Sequence, residues 1–171
     1  MKCQPNRDYR SNDSIMTPLP LAKYLVSHFK PSGIVLEPCR GTGNFVKALE
    51  ENGHDISEIL WCEILEGKDF FDFCENVDWI ITNPPFSKMR KFLTHSFEIS
   101  LNVCFIMSVN HLWTRARRDD RERYNFGIKE IHLIDYPSEF PKTGFELGMV
   151  HLQKYYAGPI YLTKMEEIDE K

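Results

Sequence analysis

Asn83-Pro84-Pro85-Phe86 follows directly on the apolar run Val77 to Thr82. Two successive prolines stiffen a turn and take away two N–H donors, so backbone carbonyls project as acceptors. Asn83 adds a side-chain carbonyl and Phe86 a flat apolar face. Together they form a cradle for a planar ring that bears an NH₂ group. The acceptors hold its N–H bonds while the aromatic stacks on the ring. The plain alternative is a stiff loop that ends a strand.

A second constellation lies upstream, where Glu37-Pro38-Cys39-Arg40-Gly41-Thr42-Gly43 separates an apolar run from a helical pattern. Glycines there let backbone approach a ligand closely, and a helix N-terminus offers free N–H donors. A GxG after a strand is also a common tight turn, so the acids around it carry the distinction. Glu37 at the strand end repels a phosphate but welcomes an ammonium group or a sugar hydroxyl. Glu63, about twenty residues past Gly43, ends the next strand, where an acid accepts from ribose hydroxyls. That pairing suits an adenosyl ligand without a pyrophosphate, namely S-adenosylmethionine rather than a dinucleotide.

These residues need a frame, and the pattern supplies one. Thr17-Pro18 opens a helix, with the hydroxyl expected at the N-cap and proline in the first turn. Leu21, Ala22, Leu25, Val26 and Phe29 then recur at helical spacing. Strands are expected at Ile34 to Leu36, Ile59 to Cys62, Val77 to Thr82, Val103 to Val109, Ile128 to Ile134 and Leu147 to Tyr155. Helices are expected at Phe45 to Leu49, Phe92 to Ile99 and Arg115 to Tyr124. Alternating strands and helices imply a parallel α/β sheet, whose ligands bind at the carboxyl ends of the strands. Both constellations fall just after strands.

Composition bounds the reading. The chain has 171 residues, 42% hydrophobic and 27% charged, an ordinary globular balance that suits one domain over 1–171. Residues 1–11 and 164–171 are expected to be flexible. A net charge of −4 argues against an obligate nucleic-acid coat protein, although a local basic patch stays compatible with it. No run approaches a membrane span, and Met1 to Ser14 lacks an apolar signal core, so a cytoplasmic location is expected. The five cysteines include no CxxC pair and the histidines no HExxH, so no metal is expected.

The motifs resemble those of class I S-adenosylmethionine-dependent methyltransferases that act on amino or amide nitrogens, whose signature is (Asp/Asn)-Pro-Pro-(Tyr/Phe/Trp). Among these the chain most resembles the N6-adenine DNA methyltransferases of phages and restriction-modification systems, from about Asn12 to Tyr156. Thr17-Pro18 is similar to the family's N-terminal cofactor motif, and Glu37-Pro38 with Gly41 and Gly43 to its cofactor loop. Glu63 matches the ribose-binding acid. Asp69-Phe70 resembles the pair that meets the cofactor's adenine edge, and Asn83-Pro84-Pro85-Phe86 the catalytic loop. The motif order is similar to the family's gamma arrangement. The resemblance implies a Rossmann-like fold, a mostly parallel sheet with an antiparallel C-terminal strand, and helices on both faces. It implies methyl transfer to the exocyclic nitrogen of adenine in DNA. Arg40 departs from the small or uncharged residue usual in the loop. Glu63 and Asp69 are separated by only a handful of residues, leaving the usual helix and strand between them vestigial. No target-recognition domain is expected after the last strand.

Charge marks a substrate side. Arg115, Arg117, Arg118, Arg121 and Arg123 follow one strand end, and Lys88, Arg90 and Lys91 follow the Asn-Pro-Pro-Phe loop. They are expected to contact phosphates, with Trp113, Tyr124 and Pro141 to Phe145 as accessory elements. Asp119, Asp120 and Glu122 interleave with the arginines, so a solvated helix laced with ion pairs is the competing reading. The same cradle would serve RNA (an adenine or guanine amine) or a protein glutamine amide, and a non-catalytic cofactor-binding subunit is a further alternative. Without a recognition domain, specificity is expected to be low or borrowed from a partner subunit.

Overall fold

The computed structural model describes residues 15–135, 137–138, 140 and 144–166. Among the described residues, seven strands form one sheet in the order β2-β1-β3-β4-β6-β5-β7. They are β1 (Val35–Glu37), β2 (Ile59–Trp61), β3 (Val77–Thr82), β4 (Ser100–Ser108), β5 (Phe126–Leu133), β6 (Leu147–Lys154) and β7 (Tyr161–Lys164). The β1–β2, β1–β3, β3–β4 and β5–β7 pairings are parallel, while β6 runs antiparallel to both β4 and β5. The expected architecture holds, with β6 as its reversed strand.

The two faces are covered by the helices α1 (Leu19–Phe29), α2 (Asn44–Glu51), α3 (Met89–Ile99) and α4 (Arg115–Tyr124). Leu21, Ala22, Leu25, Val26 and Phe29 of α1 join Phe45, Ala48 and Leu49 of α2 over Val35, Ile81, Cys104, Ile106 and Met149. The opposite core sets Met89, Phe92, Leu93 and Phe97 of α3 on Leu36, Ile80, Val103, Phe105 and Leu152. Alternate residues of β3 and β4 thus feed opposite cores, which is why both strands read as continuous apolar runs. Leu25 is fully buried, and truncating such a residue to alanine costs about 2–5 kcal/mol.

Two local expectations change, at the start of α1 and at β7, and the vestigial segment after β2 is as expected. The Thr17 hydroxyl does not cap α1, whose N-cap is Pro18 with no side-chain cap bond. Pro20 has no N–H to offer a capping oxygen at the second helical position. The region between β2 and β3 holds only short 3-10 turns, Ile64–Glu66 and Phe70–Asp72, so β2 is an edge of the sheet. At the other edge β7 is an additional strand, its Lys164 paired with Leu133 where a flexible tail was expected. Tyr161 and Leu162 are exposed, so β7 lacks the apolar alternation by which buried strands are read. Residues 1–11, Cys3, 141–143 and the end of the tail lie outside the described residues.

Candidate active site

The carboxyl ends of β1, β2, β3 and β4 share one edge of the sheet and carry the glycine loop, Glu63, the Asn-Pro-Pro-Phe loop and the Val109–Trp113 turn. Glu37 closes β1 and is only 1% exposed. It accepts from the Thr82 hydroxyl at 2.5 Å and the Cys39 amide at 2.9 Å. Burial dominates those two bonds and raises its pKa to about 8, with the nearby Glu63 charge pushing the same way.

The glycine loop is shaped by its own backbone. Gly41 has φ +50° and Gly43 φ +82°, conformations that L side chains rarely adopt. A Cβ at Gly41 would collide with the Met16 sulfur, so Met16 lies directly over this loop. The Gly41 amide donates to Glu63 Oε2 at 2.8 Å, and the Leu65 amide to Glu63 Oε1 at 3.1 Å. Glu63 therefore ties the glycine loop to the turn after β2. Asp69 caps its own 3-10 turn by accepting from the Phe71 amide at 3.0 Å. It lines a cleft of about 400 Å³ with Trp61, Gly67, Lys68 and Phe73. Phe70, in contrast, packs inward against Phe92, with ring centres 5.0 Å apart. Its ring belongs to the core, leaving only its backbone for any ligand in that cleft.

Asn83 is the most telling residue. Its Nδ2 donates to the Ile15 carbonyl at 3.1 Å, which fixes the amide's orientation, while its Oδ1 is buried with no hydrogen-bond partner. A buried acceptor left unpaired is costly and calls for an explanation. Pro84 is buried, and Pro85 accepts from the Lys88 amide at 3.0 Å, holding the following turn. Phe86 is half-buried and packs against both cores, so it braces the loop.

The basic residues divide sharply. Arg90 forms a two-pronged pair with the buried Asp120 at 2.8 and 2.9 Å, pinning α3 to α4. Arg121 donates to the Leu112 carbonyl at 2.8 Å, and Arg117 Nε is buried without a partner. Arg90 and Arg121 are thus committed to the fold, while Arg117 is half-buried. Arg115 and Arg118 are exposed and meet Asp119 and Glu122 only at 3.8–3.9 Å, and Lys88 is exposed too. Trp113 is 59% exposed, whereas Tyr124 packs against the core and donates to Glu98 at 2.9 Å.

Several contributors escaped sequence reasoning. Thr82 was only the residue before the motif, and Asn44, which donates to the Thr17 carbonyl at 2.8 Å, only the residue after Gly43. Met16 and Ile15 precede the first helix and carry no motif. Away from this edge, His28, Glu130 and His132 bring potential ligand atoms within 4.8 Å, where no metal was expected. Both His132 ring nitrogens already meet hydroxyls, Thr163 at 2.7 Å and Tyr24 at 3.2 Å. Cys62 and Cys104 are buried free thiols and Cys39 is half-buried. Among the described residues, no helix is long and apolar enough to cross a membrane.

No family model and no curated protein matches the sequence. Solved structures do match. A protein of a type I restriction-modification system aligns over 95% of this chain and 47% of its own, with TM-score 0.66 and 14% identity. The M protein of the type I restriction enzyme EcoKI aligns over 95% and 51%, with TM-score 0.60 and 14% identity. An RNA methyltransferase candidate from Pyrococcus horikoshii aligns over 81% and 84%, with TM-score 0.55 and 16% identity. The chain spans about half the length of the two restriction-modification proteins. The fold is therefore an α/β Rossmann-like fold, shared with these solved structures.

Proposed function

We propose that this chain is an S-adenosylmethionine-dependent N-methyltransferase whose substrate is the exocyclic amino group of adenine in DNA. The observation that carries this reading is the orphaned, buried Oδ1 of Asn83 at the end of β3. An acceptor held in that state suits a group that brings its own N–H donors. The residues around it also fit the cofactor. Thr17, Arg40 and Asn83 line one small cavity under Met16, and each carries a buried polar atom without a partner. Glu37, Glu63 and Asp69 supply acids for the ammonium group, the ribose and the adenine amine. When bound, S-adenosylmethionine supplies an electrophilic methyl group.

The chain's own residues do the rest. An aromatic amine is a poor nucleophile because its lone pair is delocalised into the ring. Accepting its N–H bonds on Asn83 Oδ1 and the Pro84 carbonyl would draw that lone pair toward tetrahedral character and ready the nitrogen to take a methyl group, its surplus proton passing to solvent. Positioning and preorganised acceptors then carry the rate, with no covalent enzyme intermediate. A duplex base reaches such a site only by flipping out, at a cost of a few kcal/mol. Base–aromatic stacking, worth about 1–3 kcal/mol, offsets part of it. Lys88, Arg115 and Arg118 follow the same strand ends and favour a polyanionic substrate over a peptide.

The test is methyl transfer from labelled S-adenosylmethionine to unmodified DNA, RNA and a glutamine-containing peptide in parallel, read by mass spectrometry of the products. N6-methyladenine in DNA is the expected product. Label in RNA or peptide alone reassigns the substrate. Cofactor binding without transfer to any of the three favours a non-catalytic subunit acting with a partner.

A further inference from the structure

We infer that Arg40 recognises the carboxylate at the amino-acid end of the cofactor, an inference that rests on the cofactor reading above. Arg40 stands between Cys39 and Gly41 in the glycine loop. Its Nη2 donates to Glu66 at 2.6 Å, and its Cζ lies 4.0 Å from the centre of the Trp61 ring. Lys68 also sits over that ring, at 3.5 Å, so Trp61 is a platform that holds the guanidinium in place. Yet Arg40 Nε is buried and has no hydrogen-bond partner.

Arg90 shows what the same two nitrogens do when their partner is complete. There Nε and Nη2 meet the two oxygens of Asp120 at 2.8 and 2.9 Å. Two parallel N–H bonds to one carboxylate are the strong arrangement for a guanidinium. On Arg40 only Nη2 is taken, so its fork is half filled. Glu66, the occupant, has a side chain 44% exposed and can turn to water at little cost when a second carboxylate arrives.

The surroundings say which carboxylate. Arg40 lines a cavity with Met16, Thr17, Thr42, Asn44 and Asn83. Thr17 Oγ1 and Asn83 Oδ1 are also without partners. Asn83 Oδ1 is an acceptor and fits an amine, the Arg40 Nε–H can only donate and fits an anion, and the Thr17 hydroxyl can donate beside it. The adenosyl cofactor carries one anionic group. Glu37, an acid at the head of the same loop, can give up its proton to face the cationic ammonium. The Arg40 donor and the Glu37 carboxyl thus suit opposite ends of the zwitterion.

The experiment titrates the full chain calorimetrically with S-adenosylmethionine and with its decarboxylated form, which differ only in that carboxylate. The wild type should prefer the carboxylated ligand by about tenfold or more, as a charge-assisted bond implies. Arg40→Gln should bring the ratio to about one by weakening S-adenosylmethionine alone. Arg40→Lys keeps the charge but lacks the fork, guards against misfolding, and should lose most of the preference. Glu66→Gln should leave the preference intact or raise it. Equal losses for both ligands in both Arg40 variants would mean that Arg40 only shapes the loop, and would overturn the inference. So would an unchanged ratio accompanied by weaker DNA binding, which would place the fork on a phosphate. A wild type that binds neither ligand removes the cofactor reading itself, and this inference with it.

Discussion

The Thr82 hydroxyl donates to Glu37 Oε1 at 2.5 Å, joining the last residue of β3 to the last residue of β1 inside the sheet. The residue before the Asn-Pro-Pro-Phe loop and the acid before the glycine loop are thus one unit. Any change of charge on Glu37 reaches both loops.

That coupling gives a pH signature. Folded Glu37 keeps its proton to about pH 8, while the unfolded side chain releases it near 4.5. Between these values the folded state binds the extra proton, so stability falls as pH rises. His132 and His151 are held neutral down to about pH 4, against 6.5 when unfolded, mainly by burial. Across that lower window the unfolded state binds the extra protons, so their contribution rises with pH. The two limbs meet near pH 6.5. Thermal melts from pH 5 to 8.5 should show a maximum there, and Glu37→Gln should remove the alkaline fall. A wild-type stability that keeps rising to pH 8 would mean Glu37 ionises normally. Binding of a cationic cofactor should also expel the Glu37 proton, which calorimetry in buffers of different ionisation enthalpy would register.

Asn83 separates chemistry from binding. Asn83→Ala removes the orphaned acceptor and should lower turnover by about 10²–10³-fold, the usual cost of one preorganised hydrogen-bonding group. Cofactor affinity should stay within a few-fold. Asn83→Asp keeps an acceptor but sets a carboxylate oxygen against the Ile15 carbonyl in place of the Nδ2 bond, so it should retain measurable but reduced transfer. Turnover in Asn83→Ala close to wild type would leave the loop a purely structural turn.

Much of this site was legible because its residues sit where sequence pattern is strongest. Glu37, Glu63 and Asn83 each end a short apolar run, and such runs mark strand ends well. Arg115–Tyr124 was legible as a helix from its charge pattern, and the structure adds a Thr114 cap that accepts from the Arg117 amide. What sequence hides is partnership across distance. Nothing local says that Arg90 meets Asp120 thirty residues away, or that Glu63 closes on Gly41. The Thr17 hydroxyl misled for the opposite reason, since a local capping rule was overridden by the missing N–H of Pro20. Strand β7 escaped because an exposed edge strand needs no apolar face.

Gly41 tests the loop's geometry. An alanine there must hold φ near +50° and place its Cβ against the Met16 sulfur. The left-handed backbone alone costs about 1–2 kcal/mol. Denaturant melts of Gly41→Ala should show at least that loss, along with weaker cofactor binding. Adding Met16→Ala should recover the steric share of the loss and leave the backbone share. Full stability in the single variant would mean that the loop readily adopts another conformation.

The arginines should separate by what they already hold. Arg90 and Asp120 pin α3 to α4, and the pair keeps the Asp120 carboxyl below its ordinary range, chiefly through the Arg90 hydrogen bonds. Asp120→Asn should therefore lower the melting temperature at neutral pH, with the deficit shrinking in acid as wild-type Asp120 gains its proton. Arg115, Arg118 and Lys88 hold only weak surface pairs or none among the described residues. Replacing each with alanine should scarcely change the melting temperature. If these residues meet phosphates, each loss should flatten the slope of log affinity for DNA against log salt by about one unit. Filter binding or fluorescence anisotropy at several salt concentrations measures that slope directly. A slope unchanged in the triple variant would remove this face from the nucleic-acid interface, whereas destabilisation by Arg115→Ala or Arg118→Ala would mean that their ion pairs support the helix.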